Sequence, residues 1–593
     1  MRALNQELQR LVDELFFCPE AQDDIPRRID LCHRILALVD RHASPGQWAF
    51  IHGELARSLV RSHEGDRAEN VERALSHFEQ ALTVFTPESH PVQAAMLRAF
   101  VGGAYVVRLR GEREENTERA IENLLFAVDI PPNLVDRSLW ASCQLSLGRL
   151  YASRRLGDPG QNAEQAAFHY LQGLEAYGPE QNPEERADAL DSLATVAMRV
   201  VGPSLEDKFA LAVKCYRQAL DLFTQDSNPS RWAEIATKLA MVLLEQRRQQ
   251  GDDGIERAID DCRTALKLLS PSEQPDLWAT AHLTLGNALI ERKSCVRAED
   301  VEQAIHQYGQ LLEGVARDTA PQYWAAAQSG LGNAYTRRMK GDRADNIERA
   351  IGFLKEALEA EGPDVSPSDR AGIQTLLGNA LLARIRGERS DNVERAIILY
   401  GEALAAYSES EAPDDWGTIK HNLGVAHAAR IIGAKSENIE QAIAHFRQAL
   451  RIRTRDAHPY EWAQTQTALG EAFRMRLQGD AGRNFEDAIA CFEEVCATLA
   501  SEIFPAEWSL AKNNLGLALW GRILGERADN LERAIECHRA ALELRGRETH
   551  PIDWAQSQNN LGIAFSTVEI LRRPFPSSYS TRLPACTAEL SAQ

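Results

Sequence analysis

The chain has 593 residues, is 44% hydrophobic and 26% charged, and carries a formal net charge of −20. That balance is ordinary for a globular protein, and the acidic sum argues against nucleic-acid binding, which needs a basic patch or stripe. No apolar run approaches the length of a membrane span, and the N-terminal "MRALNQELQRLVDEL" has acids and amides where a signal peptide needs an apolar core, so a cytoplasmic protein is expected.

In chain order, residues 1–42 read as a divergent helix pair, Arg2–Phe17 and Pro26–Arg41, joined by "CPEAQDD". A capping unit whose outer face meets water has this character. From residue 43 to 571 a fixed period takes over. Nine of the ten Trp (Trp48, Trp140, Trp232, Trp278, Trp324, Trp416, Trp462, Trp508 and Trp554) fall on one ladder with a step of 46 residues. A stricter ladder runs from Ala74 through Ala350 to Ala534 and is Ala at every rung. A fixed period in this range means stacked supersecondary units, each burying its apolar face against its neighbours.

Within a unit the code is helix, loop, helix. Pro321 opens the first helix, where a missing N–H loses no bond. Trp324, Ala327, Leu331, Ala334 and Tyr335 then recur at helical spacing, and Gly341 supplies the stop. The second helix is expected over Ile347–Glu359 with Asn346 as its N-cap, as at Asn70, Asn116, Asn392 and Asn530. Glu348, Glu394 and Glu532 would set negative charge against the helix's positive end. The Trp rungs should be largely buried between neighbouring pairs, and the Ala rungs should lie at close helix contacts. The pattern weakens between Arg186 and Lys208, where Gly202-Pro203-Ser204 replaces the loop. The helix opening at Pro551 has no following partner in the pattern, and residues 572–593 read as an irregular tail, which leaves an apolar face open to self-association.

The loop "GDRADNIE" does not make a metal site. An EF-hand needs ligands at alternate positions, a Gly at the sixth and a Glu at the twelfth, and this loop has neither that Gly nor that spacing. Metal ligands and cofactors are therefore not expected. Nor are catalytic residues: H-E-x-x-H, G-x-x-x-x-G-K-[ST] and G-x-S-x-G are absent. Cys32/His33 and Cys537/His538 are sequence neighbours, which diverge by about 100° on a helix. The ten Cys form no C-x-x-C pair and read as buried reduced thiols.

Leu331-Gly332-Asn333-Ala334-Tyr335 with Ala350 and Leu354, and Leu469-Gly470-Glu471-Ala472-Phe473 with Ala488 and Phe492, resemble the tetratricopeptide repeat (TPR). The usual repeat has about 34 residues, so this is a long variant. Its "GDRADNIERAI" wording is similar to the arrays that precede caspase-like CHAT domains, although this chain contains no CHAT domain. The resemblance implies an all-α, right-handed superhelical solenoid of about 12 antiparallel helix pairs. It also implies a non-enzymatic scaffold that takes a partner protein or peptide in its concave groove. The alternative is a regulatory or sensor subunit, or a truncated relative, of a CHAT protease system.

Aligned on the Leu-Gly phrase, the family's groove positions include the residue after each Gly. Asn287, Asn333 and Asn379 occupy it in three consecutive units, and Arg337 is the candidate cation beside them. In the resemblance, Asn here donates to a partner's main chain or carboxylate; the other reading is a bond to a neighbouring helix or to water. A second row, Arg108, Arg154, Arg292, Arg338, Arg384, Arg430, Arg476 and Arg522, ends the first helices. Cations there favour the helix dipole and can bond free carbonyls or nearby loop acids; a clamp for acidic partners is the functional reading.

Overall fold

The computed structural model describes residues 2–572 apart from 20, 132, 178–181, 201–207, 251–253, 293–296, 361–365, 411, 503 and 548–550. Gly202-Pro203-Ser204, and the tail from residue 573 on, lie outside the described residues. Among the described residues there are 25 α-helices and no strand. Leading and trailing helices alternate at the period read from the sequence, as in Pro321–Arg337 with Arg343–Glu359, then Pro367–Leu382 with Arg389–Leu404. The chain divides into two compact units, Met1–Gln246 with Arg257–Glu273, and Arg247–Glu256 with Gln274–Gln593.

In the first unit the opening pair, Arg2–Phe17 and Ile25–Leu36, shares a core with the next pair through Leu11, Leu31, Ile35, Leu55 and Phe78. In the second unit each trailing helix packs on its own leading helix and on the next one, through residues such as Ile347, Leu354, Leu377 and Tyr400. All eleven Ala rungs are fully buried. The Gly of each Leu-Gly phrase explains why. A Cβ at Gly332 would lie 2.4 Å from Leu354, at Gly378 2.5 Å from Tyr400, and at Gly470 2.7 Å from Phe492. The leading helix is notched at Gly, the trailing helix fills the notch with a large side chain, and Ala four residues earlier lets the two backbones close.

Two expectations need correction. The trailing helix begins at Arg343, not near Ile347, and its N-cap is Asp342, which accepts from the Asp345 N–H at 2.9 Å. Asp66, Asp158 and Asp480 do the same in their units. A carboxyl oxygen four residues upstream thus takes the capping role, and Asn346 turns inward. Its amide is 3% exposed and donates to the Lys340 carbonyl at 2.9 Å, tying the loop to the helix's first turns. Gly341 has φ +86°, but it shapes the loop after Arg337 has already ended the leading helix.

The Trp rungs are largely buried, as expected, but to different degrees. Trp416 and Trp462 are buried, whereas the other seven are half-buried. Trp140 and Trp508 donate their indole N–H to the Val128 and Cys496 carbonyls near the end of the preceding trailing helix. Cations lie over the rings: Arg41 over Trp48, Arg317 over Trp324, Lys512 over Trp508 and Arg547 over Trp554. These four Trp keep a face near water under a cation.

Candidate functional interface on the leading helices

Asn287, Asn333 and Asn379 all fall in the second unit, on the leading helices Pro275–Glu291, Pro321–Arg337 and Pro367–Leu382. Each directly follows its notch glycine and is half-buried. Tyr308, on the trailing helix, packs its ring against both Gly286 and Gly330 and donates its hydroxyl to Asn287 Oδ1 at 2.7 Å. Tyr400 does the same for Asn379 at 2.6 Å. Between them the notch is filled by Leu354, which has no hydroxyl, and Asn333 Oδ1 accepts instead from Arg337 Nε at 3.2 Å.

All three amide oxygens are therefore engaged within the protein, and each bond fixes the amide's orientation. The Nδ2 donors of the three have no partner among the described residues. What the row offers is paired N–H donors at three successive units, with the exposed Arg337 on its middle rung. The row ends there: the next rungs are Val425, then Glu471, which holds Arg474 at 2.9 Å.

The second row has a different role. All eight arginines bond a glutamate near the start of the preceding unit's trailing helix: Arg108 with Glu72, Arg154 with Glu118, Arg292 with Glu256, Arg338 with Glu302, Arg384 with Glu348, Arg430 with Glu394, Arg476 with Glu440 and Arg522 with Glu486. Arg384 is two-pronged on Glu348, at 2.8 Å from Nε and 2.8 Å from Nη2, and its Nη1 reaches Asn392 Oδ1 at 3.3 Å. The hydrogen-bonded guanidinium holds the Glu348 carboxyl below the usual carboxylate range. Loop acids take other cations, as in Asp345 with Arg386 at 2.6 Å. Glu348 and Glu394, expected beside their own helix's dipole, are therefore inter-unit ligands. An Arg and a Glu separated by 36 residues, recurring in eight units, were the signal for this in the sequence.

No constellation for catalysis assembles from the Cys–His neighbours. Burial pushes the Cys32 thiol up to about 12 and also raises that of Cys537. His538 fills the notch at Gly516, where burial brings its pKa down to about 4. Among the described residues no three His, Cys, Asp or Glu side chains group as metal ligands, and no helix is long and apolar enough to cross a membrane.

Notch glycines filled from the following helix, in pairs repeated along both units, decide the architecture. The chain is a TPR-like helical-repeat array. No family profile matches the array, and no curated protein does. Among solved structures it is similar to the APC/C hetero-tetramer Cut9–Hcn1, at 13% identity, 92% of this chain and 93% of that one, with TM-score 0.36. It is also similar to BtubC (BKLC) from P. vanneervenii, at 19% identity, 51% and 100% coverage and TM-score 0.30. Scc4 in complex with Scc2n gives 10% identity, 89% and 99% coverage and TM-score 0.32. Likenesses this shallow carry no argument about role.

Proposed function

We propose that this chain is a non-enzymatic protein-interaction scaffold whose leading helices in the second unit receive an extended segment of a partner protein. The observation that supports this reading is the row Asn287, Asn333 and Asn379, where internal bonds occupy the amide oxygens and leave the N–H donors unpartnered. Such donors suit main-chain carbonyls, which recur along any extended peptide regardless of its side chains. Arg337 adds a positive charge on the middle rung, suited to a carboxylate of that segment.

The test is affinity capture with the wild-type chain and with a triple Asn→Ala variant, each checked for unchanged helical circular dichroism and melting. A partner retrieved by the wild type should be lost by the variant, since each bond removed weakens binding about five-fold or more. A partner held equally well by both would move the site off this row.

A further inference from the structure

The helix Pro551–Arg572 is a leading helix by every internal mark, with Pro551, Trp554 and Leu561-Gly562 at their rungs, yet one of its sides is uncovered. Its sister helices show what normally lies there. In eight earlier units the notch glycine is filled, so that an added Cβ would meet the trailing helix's large side chain at 2.4–2.8 Å. At Gly562 nothing lies within 4 Å. Phe565 is 40% exposed, whereas Phe473 and Leu519 on the same rung are 5% and 0%. Ala555 is exposed, whereas Ala463 and Ser509 on its rung are buried. These rungs face the trailing helix of their own pair elsewhere: Tyr335 lies at a tilt against Phe353, and Gly417 lies under Ile452.

We propose that the side of helix Pro551–Arg572 bearing Ala555, Gly562 and Phe565 is a docking site for an amphipathic helix of a second polypeptide. That helix must carry a large apolar or aromatic residue between two small ones. The shape is read from the helices that fill the sister notches: Ala350, Leu354 and Ala357; Ala396, Tyr400 and Ala403; Ala442, Phe446 and Ala449. Residues 576–584 do not carry that shape. Where Asn530, Ala534 and His538 stand one unit earlier, the sequence has Pro576, Ser580 and Pro584, and proline inside a helix removes a hydrogen bond and clashes with the preceding turn. The site rests on the open notch and is independent of the asparagine row.

The test uses the full chain and, as probe, a labelled synthetic peptide of the 17-residue segment Arg343–Glu359. Fluorescence anisotropy should show saturable binding. Gly562→Leu fills the notch in advance and should weaken binding roughly tenfold or more, with circular dichroism and melting unchanged because nothing lies within 4 Å of that position. Leu354→Asp in the peptide, with the protein untouched, should weaken it at least as much. Absence of saturable binding, or indifference to either substitution, would overturn the proposal.

Discussion

A glycine's role in this array depends on which face of its helix carries it. Gly332→Ala would drive a Cβ to 2.4 Å from Leu354, between two backbones already held close at Ala350. Overpacking of that kind costs about 1–3 kcal/mol. Gly352, on the exposed side of the trailing helix, has nothing within 4 Å. There the same substitution should stabilise by about 0.5–1 kcal/mol, because alanine restricts the unfolded chain and favours the helix. Denaturant melts of the two single variants should therefore move in opposite directions. A shared gain would mean that Leu354 does not sit in the notch.

Between helices, the two-pronged bond from Arg384 to Glu348 clips each leading helix to the trailing helix before it. Both side chains are about a quarter exposed, at 26% and 27%, so solvent screens the pair. A double-mutant cycle with Arg384→Ala and Glu348→Ala should give about 1 kcal/mol of coupling, at the upper end for surface pairs because of the bidentate geometry, and it should shrink in high salt. A coupling of zero would make the row decorative. Helix order and the Ala ladder were legible in the sequence because periodicity reports burial directly. Capping was legible only in part: Asp342 and Asn346 are both plausible caps, and only the inward turn of Asn346 separates them. The Arg–Glu clips were missed because their partners lie 36 residues apart, beyond any within-helix or within-loop rule. The asparagine row was visible as a pattern, but the use of its oxygens was not, since it depends on whether Tyr or Leu fills the notch.

At the scale of the whole molecule, acid should loosen the array. Burial lowers His169 and His538 to about 4, from an ordinary value near 6.5. A folded-state pKa below the unfolded one means that the unfolded chain binds protons first. The stability these groups contribute is complete above about pH 6.5 and is lost as pH falls toward 4. Glu348 and Glu394, also held low by their arginines, add a loss in the same direction at lower pH. Melting temperature followed from pH 7.5 to 4.5 should fall. His538→Phe should flatten that fall, because Phe446 and Phe492 already fill the same notch in sister units. A profile unchanged by His538→Phe would assign the acid loss to other groups.

Every clip reaches back one unit, and each of the eight filled notches is filled from within its own unit. The array therefore has a grammar of excision. Deleting residues 340–385, one whole period, removes Glu348 together with Arg384 and leaves Arg338 with Glu302 and Arg430 with Glu394 intact. Gly332 would then receive Tyr400, a side chain that the notch at Gly378 already holds. Such a shortened chain should fold and melt cooperatively, whereas deleting residues 340–362, half a period, sets two leading helices side by side and should not. Genes encoding such arrays can thus gain or lose length by unequal crossing-over in whole units, with no compensating substitution at the seam.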